Sequence, residues 1–172
     1  MWRFGPATKG LERKLELSPS ERRQLDEARR ALKYPAVEFT GEQALAIGHG
    51  FAKAVTSSTF TIWACSILPF HVHLVIARHT YDVEQVVRLL KGQATKQLLQ
   101  ERLHPLIDYG TPTETPTPWA DKKWKVFLDS DESIENAIRY VEENPEKEGK
   151  PRQDWSFVRP YAGLDNGWIT YH

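Results

Sequence analysis

The sequence has little cysteine, no excess of charge of either sign and no long apolar run. Cys65 is its single cysteine, so a disulfide within the chain is excluded and a packed thiol is expected. Lys plus Arg and Asp plus Glu both number 23, so the overall charge gives no argument for a nucleic-acid partner. The apolar runs are too short to span a membrane, and the charged start of the chain lacks the apolar core of a signal peptide. We therefore expect a cytoplasmic protein with no membrane partner.

The composition that remains is that of an ordinary globular protein. Hydrophobic residues make up 40% of the 172 residues and charged residues 27%. A chain of this length can bury one full core, so one domain with an extension is predicted. We place an N-terminal arm and helix at residues 1–34, the main domain at 35–157 and a C-terminal tail at 158–172. Residues 1–17 have no sustained period and are predicted to be irregular.

The hydrophobic pattern of the main domain predicts an α+β fold. Alternation predicts strands at 36–40 and 71–76, a run that is apolar on both faces predicts a central strand at 60–68, and a last strand is predicted at 124–128. Helical spacing predicts three helices: one opened by a capping box of Thr40 and Gln43, one capped by Thr80 or Asp82, and one that begins at Ser130 and ends at Pro145. Pro69 and Phe70 leave room only for a tight connection between the two middle strands. The order of these elements predicts a ferredoxin-like antiparallel sheet (βαββαβ) with an added C-terminal helix and an N-terminal helical extension.

Two histidines lie one residue apart in the third predicted strand. Because alternate side chains of a strand share a face, His71 and His73 are expected to point the same way, while Val72, Leu74 and Ile76 fill the other face. Such a pair can chelate a metal ion. A His-X-His pair is also common as two hydrogen-bonded histidines on a half-buried strand, so the pair alone does not define a site.

Tyr140 and Asn144 stand four residues apart on the last predicted helix. At this spacing their side chains are neighbours, at the border between the buried stripe and solvent. A tyrosine at such a border often packs its ring and leaves its hydroxyl in water. An asparagine before a proline is also a frequent helix terminator. Both residues therefore have a structural interpretation beside a functional one.

Three blocks in this order resemble the HUH single-tyrosine transposases, including the REP-associated tyrosine transposases. The blocks are ILPFHVHLV at 67–75, LLKG at 89–92, and IRYVEENPEK at 138–147 followed by DWS at 154–156. The resemblance covers most of residues 35–155. It implies that the main domain is catalytic.

The resemblance also implies roles for the residues that match these blocks. His71 and His73 would bind a divalent ion, Mg²⁺ or Mn²⁺, and Asn144 would be its third ligand. Tyr140 would attack a phosphate of single-stranded DNA and form a 5′-phosphotyrosine, so that the strand can be rejoined without ATP. The implied partner is DNA beside a hairpin or palindromic repeat, and the implied location is the nucleoid. Members of the family act as dimers or as monomers, so a homodimer and a monomer both stay open.

Basic residues supply candidates for contacts with the DNA backbone. The second helix of the main domain carries Arg88, Lys91 and Lys96, and the N-terminal extension carries Arg22, Arg23, Arg29 and Arg30. Acidic residues are interleaved with the basic ones in the extension. Solvated faces of mixed charge are therefore an equally good interpretation.

Two other functions fit the same residues. The first is a DNA-hairpin-binding protein that is no longer mobile and does not transfer strands. The second is a metal-dependent hydrolase that uses the histidine pair on a small substrate. The role of Tyr140 discriminates among them, because only the transposase needs its hydroxyl as a nucleophile.

Overall fold

The computed structural model describes residues 2–5, 23, 32–111, 113–120 and 124–164. Over these ranges the elements are β1 (Trp2–Gly5), α1 (Gly41–Ser58), β2 (Ile62–Ile67), β3 (Val72–Ile76), α2 (Val83–Gln100), a short 3₁₀ helix (Ile107–Tyr109), β4 (Trp124–Phe127) and α3 (Asp131–Lys147). The predicted α+β class is confirmed. Within the same ranges no helix is both long and apolar enough to cross a membrane.

The four strands form one antiparallel sheet in the order β2-β3-β1-β4. As predicted, β2 and β3 are antiparallel neighbours joined by a tight connection. Across that connection the Leu68 N–H donates to the His71 carbonyl at 2.8 Å. The segment that carries the two histidines therefore lies inside the sheet, between β2 and β1.

The first strand differs from the prediction. β1 is Trp2–Gly5, which pairs with both β3 and β4, so the irregular arm predicted over residues 1–17 is wrong for these four residues. The strand predicted at 36–40 is also wrong. There the Phe39 N–H donates to the Pro69 carbonyl at 2.8 Å and the Phe39 ring is buried. The alternation of that segment thus reflects the burial of Phe39 and, in part, of Val37, not a strand ladder.

The predicted N-terminal helix falls almost entirely outside the described residues. Arg23 within it is helical and exposed. The division at residues 34 and 157 stays a prediction, although the four residues of β1 share the sheet with the main domain.

Side-chain caps fix the starts of α1, α2 and α3. Thr40 and Gln43 form the predicted capping box of α1, and Ser130 opens α3 as predicted. Of the two candidates for α2, Asp82 is the cap, accepting from the Gln85 N–H at 2.7 Å. Each cap satisfies a backbone N–H that has no partner within its helix.

The helices cover opposite faces of the sheet. Leu74 and Ile76 of β3 belong to the larger core, which they form with α1 and α2. Val75 belongs to a smaller core with Ile134 and Val141 of α3. Since side chains alternate along a strand, His73 lies on the α3 face with Val75, and His71, just before β3, follows the same alternation.

Cys65 of β2 lies in the larger core. Its burial raises the pKa of the thiol far above the ordinary value, because a thiolate there would lose its hydration. The predicted packed thiol is confirmed.

The last helix continues past the predicted end. Pro145 lies inside α3, which ends at Lys147, and the Glu148 N–H donates to the Asn144 carbonyl at 3.2 Å. Proline removes only its own N–H and strains the contact with the carbonyl four residues earlier, so a final turn can follow it. The prediction that Pro145 ends the helix is wrong by two residues.

The segment after α3 covers the outer edge of β2. The Gln153 side chain acts like a strand backbone: its Oε1 accepts from the Ile67 N–H at 2.8 Å, and its Nε2 donates to the Ile67 carbonyl at 2.7 Å. Further on, Val158 forms a parallel bridge with Ile62. These contacts satisfy backbone groups that an edge strand otherwise exposes.

Candidate functional site

The structure brings His71, His73 and Tyr140 together between the sheet and α3. The two histidine rings lie 4.6 Å apart between centroids, and the His73 and Tyr140 rings lie 5.6 Å apart at 88°. Both histidines are buried: the whole residue is 7% exposed for His71 and 2% exposed for His73. The edge-to-face contact fixes the tyrosine ring beside the histidine pair.

Asn144 lies one helical turn beyond Tyr140 and is buried. Its Nδ2 has no hydrogen-bond partner among the described residues, and a buried amide left in this state costs about 1–3 kcal/mol. Because Nδ2 is an N–H donor, it suits a place where an acceptor oxygen of a bound ligand completes it, and the Oδ1 of the same side chain is the atom that can bind a cation. Two imidazoles and an amide oxygen are donors that a divalent cation accepts, so this group fits the ion that the sequence predicts.

Ser66 is a polar residue of this site that the sequence analysis did not single out. It stands opposite His73 in the β2–β3 register and is fully buried. Within the described part of the chain its hydroxyl has no hydrogen-bond partner. A hydroxyl beside a buried histidine adds a second polar atom under α3. The signal in the sequence was a serine inside an otherwise apolar strand.

Two charged residues at the end of α3 were also missed. Glu148 Oε1 lies 3.2 Å from His71 Nε2, and Lys147 Nζ lies 5.3 Å from the centroid of the Tyr140 ring. Lys147 also forms an ion pair with Glu143 at 3.0 Å. The sequence prediction ended the helix at Pro145, which left both residues outside it. Once α3 continues, Tyr140, Asn144 and Glu148 follow at successive turns on one face.

The acidic and histidine side chains of the described residues do not by themselves form a complete metal site. Over the described ranges, no three His, Cys, Asp or Glu side chains make up a cluster ready to hold a metal ion. Glu148 contacts His71, which lies beside the ring of His73. An ion in this site would depend on imidazole nitrogens together with oxygens from α3.

The predicted DNA-contact residues of α2 lie away from this group. Arg88 and Lys96 are exposed on α2, which covers the opposite face of the sheet from α3. Lys91 Nζ donates to the Ala120 carbonyl at 2.7 Å and so ties α2 to the loop before β4. In the extension Arg23 is exposed, and Arg22, Arg29 and Arg30 lie outside the described residues.

Comparison with solved structures shows a likeness of fold. The chain is similar to the structure of a REP-associated tyrosine transposase bound to a REP hairpin, with a TM-score of 0.54 and 18% sequence identity. The match covers 91% of this chain and 73% of that chain. At this identity the likeness shows the fold, since one fold hosts many functions. No protein-family model matches the sequence, and no curated protein matches it.

Proposed function

We propose that this protein is a metal-dependent single-stranded DNA endonuclease and strand transferase of the HUH tyrosine transposase type. The observation that carries the proposal is the contact of the Tyr140 ring with His73, next to His71. The phenol of α3 and the two imidazoles at β3 meet there, although they come from separate elements. The fold shared with a transposase bound to a REP hairpin supports hairpin-associated DNA as the substrate.

The proposed reaction exchanges one phosphate ester for another. The Tyr140 Oη attacks the phosphorus, the bond from phosphorus to the 3′ oxygen breaks, and a 5′-phosphotyrosine forms. The phenolic proton is lost to solvent, and the leaving 3′ oxygen takes up a proton to become a hydroxyl. A divalent ion held by His71, His73 and Asn144 would polarise the phosphate and offset the charge that develops on it. Because the new ester resembles the one that was broken, the 3′ hydroxyl can reverse the step and rejoin the strand.

The remaining residues of the site serve to position the nucleophile. Ile134 and Val141 anchor α3 on the sheet, which restrains the Tyr140 backbone. Lys147 places a positive charge beside the Tyr140 ring, where the negative phosphate must approach. A phenol held on a rigid helix favours a flexible, single-stranded substrate that can present its phosphate in line.

The wider proposal concerns the scaffold and its partners. The strand order β2-β3-β1-β4, with α1 and α2 on one face, supports a ferredoxin-like sheet. Arg88, Lys91 and Lys96 would be secondary contacts for DNA that reaches the opposite face of the sheet. The protein would act at the nucleoid of the cytoplasm, as a monomer or as a homodimer.

A covalent-adduct assay tests the proposal. The protein is incubated with labelled single-stranded DNA hairpins and Mn²⁺, then denatured and separated by electrophoresis. Wild type is expected to give a protein–DNA band that survives denaturation, and Tyr140→Phe none. Tyr109→Phe is the matched control, since it makes the same chemical change at an exposed tyrosine of the 3₁₀ helix and should keep the band.

Other outcomes favour the alternatives. Hairpin binding without any adduct would overturn strand transfer and favour a hairpin-binding protein. Hydrolysis of a small phosphate ester that survives Tyr140→Phe but not His71→Ala would favour a metal-dependent hydrolase.

A further inference from the structure

We propose that Glu148 is a ligand of the same divalent ion as His71, so that the site contains a carboxylate. This inference rests on the metal site of the proposed function and adds a residue to it. It concerns the part of α3 that lies beyond Pro145.

The course of α3 brings Glu148 to the sheet. The Glu148 N–H donates to the carbonyls of Asn144 at 3.2 Å and Pro145 at 3.1 Å, so the helical path persists to this residue. Glu148 then lies one turn beyond Asn144 and two turns beyond Tyr140, on the face that covers the histidines. Without that last turn the carboxylate would not reach His71.

The distance between the two side chains suits shared coordination. Glu148 Oε1 and His71 Nε2 are 3.2 Å apart. Two neighbouring ligand atoms that meet an ion at right angles, each at about 2.1 Å from it, are about 3 Å apart. His71 and Glu148 thus stand at the separation that joint ligands have.

Exposure supports a route for the ion. The His71 side chain is 3% exposed, whereas that of Glu148 is 25% exposed. The carboxylate therefore connects the buried histidine with solvent. A hydrated cation would meet the charged oxygen first and the imidazoles afterwards.

The charge of the site gives Glu148 a further role. Two neutral imidazoles and an amide carry no net charge, whereas Mg²⁺ and Mn²⁺ favour carboxylate oxygens. Two neighbouring acids of α3 are engaged elsewhere, Glu143 with Lys147 at 3.0 Å and Glu142 with Arg152 at 2.8 Å. Glu148 is placed to supply the negative charge that a divalent ion needs in a buried site.

Titration calorimetry with Mn²⁺ alone, without DNA, tests the role of the charge. Glu148→Gln keeps the shape and one oxygen but removes the charge, so its affinity for Mn²⁺ should fall by about tenfold or more. Glu148→Asp keeps the charge on a shorter side chain and should give an intermediate affinity. Glu146→Gln removes an exposed acid from the same turn and is the control, with affinity unchanged within about twofold.

A crystal structure with Mn²⁺ separates a ligand from a residue that only orients His71. Anomalous scattering locates the ion, and a Glu148 oxygen is expected about 2.2 Å from it. An ion bound to the histidines with Glu148 outside its coordination shell would overturn the proposal. An unchanged or higher Mn²⁺ affinity in Glu148→Gln would also overturn it, since the carboxylate would then be dispensable or would compete with the ion for His71.

These experiments separate this inference from the proposed function. If Mn²⁺ binding depends on Glu148 but no hairpin gives an adduct, the inference stands and strand transfer fails. If a Tyr140-dependent adduct forms and the Mn²⁺ affinity is the same in wild type and Glu148→Gln, strand transfer stands and the inference fails.

Discussion

His73 and Tyr140 meet edge to face, with ring centroids 5.6 Å apart and ring planes at 88°, although one lies in the sheet and the other on the last helix. The contact joins the α3 layer to the strand that carries the histidine pair. The side chain of His73 has two separate properties: an aromatic ring that packs against Tyr140, and nitrogen atoms that can bind a metal. Substitutions can separate these properties.

We expect His73→Phe and His73→Ala to differ in stability but not in metal binding. Phenylalanine keeps an aromatic ring against Tyr140, whereas alanine leaves a cavity under α3 and should cost about 2 kcal/mol or more. Both variants lose the nitrogen ligands, so both should lose Mn²⁺ binding. Urea denaturation and calorimetry with Mn²⁺ measure the two effects. Wild-type Mn²⁺ affinity in His73→Phe would contradict a role of this residue as a ligand.

A glycine in α1 is predicted to be required for the packing of α1 against α2. A Cβ added at Gly50 would lie 2.5 Å from the Ala94 Cα, which is backbone and cannot move aside. Gly50→Ala should therefore destabilise the protein by about 1–3 kcal/mol. Gly92→Ala is the matched control on α2, where an added Cβ meets nothing within 4 Å. That change should stabilise the helix by about 0.5–1 kcal/mol, so equal effects of the two substitutions in urea denaturation would refute the prediction.

The Gln153 side chain is predicted to protect the edge of β2. Gln153→Ala removes both of its hydrogen bonds to Ile67 and leaves these backbone groups in a half-buried place, at a cost of about 1–3 kcal/mol. Hydrogen exchange should show a faster-exchanging Ile67 amide in this variant. Gln153→Glu keeps an acceptor for the Ile67 N–H but loses the donor to the carbonyl, so its Ile67 amide should exchange more slowly than that of Gln153→Ala. Unchanged exchange in Gln153→Ala would rule out the protective role.

His104 is predicted to make the protein less stable in mild acid. It is buried, and this burial lowers its pKa below the ordinary value, while Nδ1 accepts the Leu106 N–H at 3.2 Å. Below about pH 6.5 the unfolded chain binds a proton at this histidine that the folded chain does not. The free energy of unfolding therefore decreases as the pH is lowered.

The comparison of His104→Asn with wild type isolates this effect. Asparagine offers an acceptor to Leu106 but does not titrate, and every other residue is the same in both proteins. Between pH 7.5 and 5.5 the variant should therefore lose less stability than wild type in urea denaturation. Equal losses would show that His104 does not contribute.

Much of the local structure follows from the sequence alone. The caps at Thr40 and Ser130 and the tight connection at Pro69 and Phe70 involve residues a few positions apart, and all are found as predicted. The shared face of His71 and His73 follows from the alternation of a strand, and the spacing of Tyr140 and Asn144 from the turn of a helix. These features need no knowledge of the rest of the chain.

The tertiary structure decided which distant segments meet. β1 was not predicted at Trp2–Gly5 because a strand is chosen by its partners, here β3 and β4, and not by its own short pattern. The face that each helix covers likewise depends on long-range packing, which places α2 and its basic residues opposite α3. The course of α3 through Pro145 depends on the turn that follows, and this alone brings Glu148 to His71. Local periodicity determined the candidate residues, and long-range contacts, which no short segment encodes, determined which of them form one site.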